Sequence, residues 1–272
     1  MSSEGELSPG DTTLFADVLA IYDDVLAEVE QRLESVVSDF ARRESLVVSV
    51  TTRVKTTTTV REKLRRMSEL PLSDVHDLAG VRLTADMNRV QQDRLGADIT
   101  RAFADDARPP RLVDRRLRPS AGYRALHVIV YPDRIPCEIQ IRTVGQDSWA
   151  QLVEKLGDKW GRGIRYGEMP PEPDRVAIGT ISRSRFFEIV QKWGEQLDWH
   201  EESEATNVRV HDSLLRLEAD YFELGEAADP DLVSQIRDLK GEVESAQTNT
   251  ERERSALLSV LEELASMMDG MK

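Results

Sequence analysis

Leu14, Val18, Ile21, Val25, Val29 and Leu33 recur at three- and four-residue spacing, which predicts one helix or two over 13–47. Asp11 or Thr12 is placed to cap its start. The period drops to two over 49–55, where β-branched residues alternate with polar ones and predict a strand. A Thr-rich run, 56–59, leads into a helix over 60–67. A second strand signal, VRLTA, lies within 75–84, followed by a helix over 90–103 and a polar loop with three prolines over 108–121. Strands over 125–131 and 137–143 flank a turn holding Pro132 and Pro136, and helical periodicity returns over 144–160. The middle of the chain is therefore α/β (α+β), with helices packed against a small sheet.

Beyond a linker, GRGIRYGEMPPEPD, helical patterns dominate: 178–197, 208–224, and a third after the Asp229-Pro230 break. In that third stretch Leu232, Ile236, Leu239 and Val243 begin an apolar stripe that resumes at Leu257, Leu261 and Leu264. The intervening SAQTNTERERS is too polar for a sustained heptad seam, so a short coiled coil or packing helix is expected. The expected organisation is a helical segment 1–44, a mixed domain 45–165 and an acidic helical extension 166–272.

Composition narrows the function classes. In 272 residues, 40% are hydrophobic and 32% charged, enough apolar residue for a core and too much for a disordered chain. Cys137 is the single cysteine, which excludes an intrachain disulfide and a thiolate zinc cage. The acidic first residues lack the apolar run of a signal peptide, and no stretch approaches the ~18 apolar residues of a membrane span. The expected location is the cytoplasm, with no membrane partner. The formal charge of −14 is unevenly distributed: residues 51–165 hold 22 Lys/Arg against 15 Asp/Glu, while both flanks are acidic. A basic island in an acidic chain suits a phosphate pocket better than a long nucleic acid, although solvated Arg-rich faces give the same count.

Several short segments carry residues capable of chemistry. In CEIQIRT, strand alternation puts Glu138, Gln140 and Arg142 on one face and Ile139 and Ile141 on the other. An ordinary exposed strand alternates in the same way. In GYRALHVIV, Tyr123 is suited to stack on a base or to pack, and His127 to a site or to a structural role. Asp77, ahead of the VRL strand, is a candidate Mg²⁺ ligand or a turn cap, and Gly80 allows close backbone approach. Thr59 and Lys63 share a helical face downstream of Arg53 and Lys55, an arrangement that binds phosphate. A P-loop is absent from the sequence. The His76-Asp77 doublet lacks the upstream histidine of metal-dependent phosphohydrolases, since His76 is the first of four histidines. A Ser/His/Asp or Cys/His nucleophile has no supporting motif.

Taken in order, these segments resemble the synthetase domain of the RelA/SpoT family of (p)ppGpp synthetases, over about 45–165. Arg53, Lys55, Thr59 (where the family has Ser) and Lys63 match its first motif, and Asp77, Gly80 and Arg82 its second. Gly122, Tyr123 and His127 match the third, and Glu138–Thr143 with Trp149-Ala150 the last. The resemblance implies a nucleotidyltransferase-like mixed sheet flanked by helices, and Mg²⁺-dependent transfer of pyrophosphate from ATP to the ribose 3′-hydroxyl of GDP or GTP. By position it implies that Arg53, Lys55, Thr59 and Lys63 hold ATP, and that Asp77 and Glu138 are catalytic and bind the metal. Arg116, Tyr123, His127, Gln140 and Arg142 would form the acceptor side. The chain departs from the family at WAQLVEK, which lacks a Glu-His pair, at the arginine-rich loop Arg115, Arg116 and Arg118, and at Ala121, where Asn is common. The expected type is a small, stand-alone synthetase. A relative acting on the tRNA 3′ end and a catalytically silent interaction module are the alternatives, and association of copies through the C-terminal helices is also open.

Overall fold

A helix that must bury one stripe stops where its backbone turns left-handed. The computed structural model describes residues 9–54, 78–223 and 229–270. Helix α1 (Pro9–Glu44) is a single helix and ends at Ser45, whose φ is +56°, so it stops short of residue 47. Its buried residues, Tyr22, Val25, Leu26, Val29, Leu33, Val37 and Phe40, follow the expected spacing, whereas Leu14 and Ile21 are exposed.

The described residues form two compact units. The first comprises the described parts of Met1–Asp86, Asp93–Asp114 and Ala125–Arg142. It holds α1 and a mixed five-stranded sheet of β1 (Val48–Val54), β2 (Ala79–Ala85), β3 (Arg111–Asp114), β4 (Leu126–Val130) and β5 (Cys137–Thr143), in the order β1-β2-β5-β4-β3. Helix α2 (Arg89–Ala102) follows β2 and opens with reciprocal bonds between Asn88 and Gln91, each backbone N–H donating to the other's side-chain oxygen at 3.0 Å. Strand β3 corrects the expected loop at 108–121. Its four residues pair antiparallel with β4, Leu112 opposite Val128. A four-residue edge strand flanked by arginines and prolines is too short to show alternation, so only its partner identifies it.

Register sorts the two sheet faces. Val128 faces Ile139 and Val130 faces Cys137 on one side, while His127 faces Gln140 and Ile129 faces Glu138 on the other. Along β2 the buried residues are Ala79, Val81, Leu83 and Ala85, and the half-buried ones are Gly80, Arg82 and Thr84. Arg53 of β1 lies opposite Gly80, so it shares the sheet face of Gly80, Arg82 and Thr84.

The second unit comprises Met87–Gln92, Arg115–Arg124 and the described part of Thr143–Lys272. Helix α3 (Val144–Trp160) starts on a capping box: Thr143 Oγ1 accepts from the Gln146 N–H, and the Gln146 side chain accepts from the Thr143 N–H. A 3₁₀ turn (Arg162–Tyr166) lies in the expected linker, and a hairpin, β6 (Val176–Ile178) with β7 (Ile181–Ser182), follows it, so the helix expected from 178 starts at Arg183. Helix α4 (Arg183–Glu223) runs unbroken where two helices were expected, and α5 (Pro230–Gly270) runs unbroken through the polar SAQTNTERERS. The two gaps in the apolar stripes explain each other. His200 Nδ1 lies 3.4 Å from Glu253, Glu204 4.0 Å from Arg254, and Asn207 donates to Thr250 at 3.5 Å. Polar stretches that read as breaks therefore face one another across an antiparallel helix pair, which makes α5 a packing helix. Below them Trp149, Leu152, Leu156, Trp160, Phe186, Val190, Leu261 and Met268 form the apolar core.

Candidate functional site

The polar face of β5 is a hydrogen-bonded ladder. Side chains two apart on a strand stand about 6.6 Å apart, a gap that an intervening amide spans. Gln140 Nε2 donates to Glu138 Oε1 at 2.7 Å, and Arg142 donates to Gln140 Oε1 at 2.7 Å. The guanidinium thereby fixes which way the amide points, and the amide presents its N–H₂ to the carboxylate. His127, opposite Gln140 on β4, puts Nδ1 3.5 Å from the same Glu138 oxygen. Four expected residues, His127, Glu138, Gln140 and Arg142, are thus brought together. Glu138 keeps 14% side-chain exposure, against 8% for His127. Gly80 stands beside them: a Cβ there would lie 3.3 Å from the Glu138 carbonyl oxygen, tighter than ordinary contact. That is the close backbone approach its sequence position suggested.

Cys137, next to Glu138, points to the opposite, apolar face and is fully buried. Burial, and secondarily the Glu138 and Glu30 carboxylates, pushes its thiol up to about 12. A thiol so protonated is no nucleophile, consistent with the absence of a cysteine motif.

The loop bearing Arg116 and Tyr123 belongs to the second unit. Ser120 and Tyr123 bond reciprocally through their backbones, and between them Ala121 and Gly122 have φ of +51° and +86°, the pattern of a type I′ turn. Gly122 is required twice over, because a Cβ there would also meet the Trp149 ring at 2.9 Å. Trp149 in turn donates Nε1–H to the Val190 carbonyl at 2.9 Å, so the Trp-Ala motif is a packing post for the Gly-Tyr turn. Tyr123 is half-buried against this core, and Arg116 donates to Gln92 Oε1 at 2.9 Å.

Residues that the sequence did not single out connect to Arg116 through Gln92. Arg89 is 5% exposed and bonded to Asp198, Glu201 and Glu202. Burial, the largest influence, opposes its charge, but the Glu201 and Asp198 carboxylates outweigh it and hold the guanidinium above its ordinary value. Gln92 and Gln146 are also buried. One signal was available: Thr143-x-x-Gln146 is a capping-box spacing directly after EIQIRT. HEESE, at 200–204, reads as a solvated charge run and gives no hint of burial.

Arg53 is exposed on β1. Lys55, Thr59, Lys63 and Asp77 lie outside the described residues. Among the described residues no cluster of three or more His, Cys, Asp or Glu side chains gathers as a metal site.

Residues 52–159, the stretch that holds the motifs, match the family described as a region found in RelA / SpoT proteins. An uncharacterized protein of Mycobacterium tuberculosis is 40% identical over 181 residues, covering 65% of this chain and 62% of that one. The chain thus spans less than two thirds of that relative's length. The GTP pyrophosphokinase YjbM of Bacillus subtilis is 28% identical over 163 residues, 54% of this chain and 74% of that protein. The crystal structure of the small alarmone synthetase 1 from Bacillus subtilis superposes with a TM-score of 0.52 at 21% identity, covering 72% of this chain and 97% of that one. The same synthetase bound to its product pppGpp gives 0.53 at 21% identity, over 72% of this chain and 97% of that one. The fold is that of a small alarmone synthetase, as the motif order implied.

Proposed function

We propose that the chain is a (p)ppGpp synthetase that transfers pyrophosphate from ATP to the 3′-hydroxyl of GDP or GTP. The observation that carries this reading is the Glu138–Gln140–Arg142 ladder with His127 beside it, inside the matched region. The 3′-oxygen attacks the β-phosphorus of ATP, the bond to the α-phosphate oxygen breaks, and AMP leaves. Glu138 accepts the hydroxyl proton. Such chemistry asks for positioning and charge neutralisation more than covalent machinery. Arg142 and Gln140 hold the Glu138 carboxylate in one orientation, which keeps its cost of reorganisation low during transfer. Arg53, Lys55, Thr59 and Lys63 hold the ATP, and Arg116, Tyr123 and His127 contact the acceptor.

Carboxylate oxygens are hard donors suited to Mg²⁺, so Asp77 and Glu138 would hold that ion, which supplies charge neutralisation at the transferring phosphates. The location we propose is the cytoplasm; among the described residues no helix is long and apolar enough to cross a membrane. Exposed Leu217 and Phe222 on α4 support association of copies through the C-terminal helices, which sedimentation tests.

The test is a product assay with labelled ATP against GDP, GTP, GMP and tRNA, with and without chelation of Mg²⁺. Guanosine 3′-pyrophosphate is expected, lost on chelation and restored by Mg²⁺. Label on tRNA alone transfers the reading to the tRNA-directed alternative. No product from the wild type, with nucleotide binding intact, leaves the silent module.

A further inference from the structure

We propose that helix α4 positions the acceptor side of the site, through a relay of fixed polarity that starts at Glu201 and ends at Arg116. The inference rests on the synthetase reading and names Glu201, Gln146 and Gln92 as positioning residues.

A carboxylate only accepts hydrogen bonds, so whatever faces it must donate. Gln146 Nε2 donates to Glu201 Oε2 at 2.8 Å. Its carbonyl oxygen is thereby turned away, and it accepts from Gln92 Nε2 at 2.9 Å. Gln92 in turn presents its own oxygen to Arg116, which donates at 2.9 Å. Each amide gives on one side and takes on the other: the Glu201 carboxylate at the start and the donor-only Arg116 at the end agree on one direction, and the Thr143 N–H on the Gln146 oxygen supports it. Glu201 is itself locked, accepting from Thr143 Oγ1 and from buried Arg89 at 3.2 Å. It is 2% exposed, and Gln92 is fully buried, so water does not compete for the Glu201–Gln146 and Gln146–Gln92 bonds. A guanidinium is planar, so fixing one of its nitrogens restricts the orientation of the whole fork, and phosphate recognition depends on that orientation.

A second tie ends on the same loop. Asp198, one turn before Glu201 on α4, lies 2.9 Å from Arg124 Nε, and Arg124 donates to the Gly122 carbonyl at 2.9 Å. Both ends of the segment that carries Arg116 and Tyr123 are therefore fastened to α4. The acidic helical extension, which the sequence set apart from the chemistry, is on this reading part of the acceptor machinery.

Two full-length variants test the relay. Glu201→Gln lets the starting group donate as well as accept, which removes the acceptor-only anchor of the relay and loosens the hold on Arg116. Gln92→Met cuts the relay while leaving the Arg89 ion pairs intact, which guards against a fold lost through Glu201. The expected result is a rise in KM for the guanosine nucleotide on the order of tenfold in both, with the KM for ATP unchanged. An unchanged acceptor KM in folded variants, or acceptor and ATP values rising together with a lowered melting temperature, overturns the inference. Modification of Arg116 by phenylglyoxal, followed by peptide mass spectrometry, reads the relay without turnover. It is expected to be faster in Gln92→Met than in wild type, and equal rates overturn the relay. A wild type that makes no guanosine product sinks the functional reading by itself, and the Arg116 modification rates then decide the relay separately.

Discussion

Glu138 and Glu201 are both carboxylates fixed by glutamine amides, yet they sit in opposite electrostatic settings. Glu138 retains 14% side-chain exposure on a sheet face and has one oxygen held by Gln140. Glu201 is 2% exposed and is held by Thr143, Gln146 and Arg89. A carboxylate that must meet a ligand or take a proton keeps coordination capacity and access. One that orients its neighbours is saturated, because an unpaired charge at that depth is costly. The first is a place for chemistry, the second a fixed point of the fold.

The contrast breaks or sharpens through mutation. Glu201→Ala leaves buried Arg89 short of a partner and is expected to cost about 3–5 kcal/mol in denaturant unfolding. A loss under about 1 kcal/mol would erase the distinction. Glu138→Ala is expected to lower pyrophosphate transfer on the order of 10²-fold or more, about 3 kcal/mol in the barrier, with little change in the unfolding midpoint. Activity retained in that variant removes Glu138 from its role.

Two substitutions at the turn separate backbone from charge. Gly122→Ala meets both a left-handed φ and the Trp149 ring and is expected to destabilise by about 1–3 kcal/mol in a thermal or urea melt. Ala121→Asn, at φ +51°, is expected to stabilise by about 0.5–1 kcal/mol, since Asn tolerates that conformation and Ala does not. The smallest effect belongs to Cys137. Its thiol is held protonated in the fold to about 12, above its unfolded value. Its contribution to stability is complete below that unfolded value and is lost as pH rises toward 12. Urea midpoints measured from neutral to alkaline pH should fall less steeply in Cys137→Ala than in wild type, and iodoacetamide should label native Cys137 only slowly.

Strand β5 and helix α3 were legible to the residue, Cys137–Thr143 and Val144–Trp160, because period-two alternation gives way to a 3.6-residue period at Thr143. The ladder on β5 followed from the same alternation. Strand β3 was not legible, since four residues on an edge leave no pattern apart from their pairing with β4. Nor was the continuity of α4, where HEESE breaks an apolar stripe and only the facing residues of α5 show that the stretch is covered.

Local order along the chain therefore determined the motifs, their sequence and the alternation that puts Glu138, Gln140 and Arg142 on one face. Those properties depend on neighbours two to four residues apart, and spacing alone encodes them. Tertiary structure decided that Glu201, 63 positions after Glu138, is a buried fixed point, and that Arg116 is reached from it through Gln146 and Gln92. The direction of a hydrogen bond between distant side chains depends on which groups folding brings together and shields from water, and no local pattern records it.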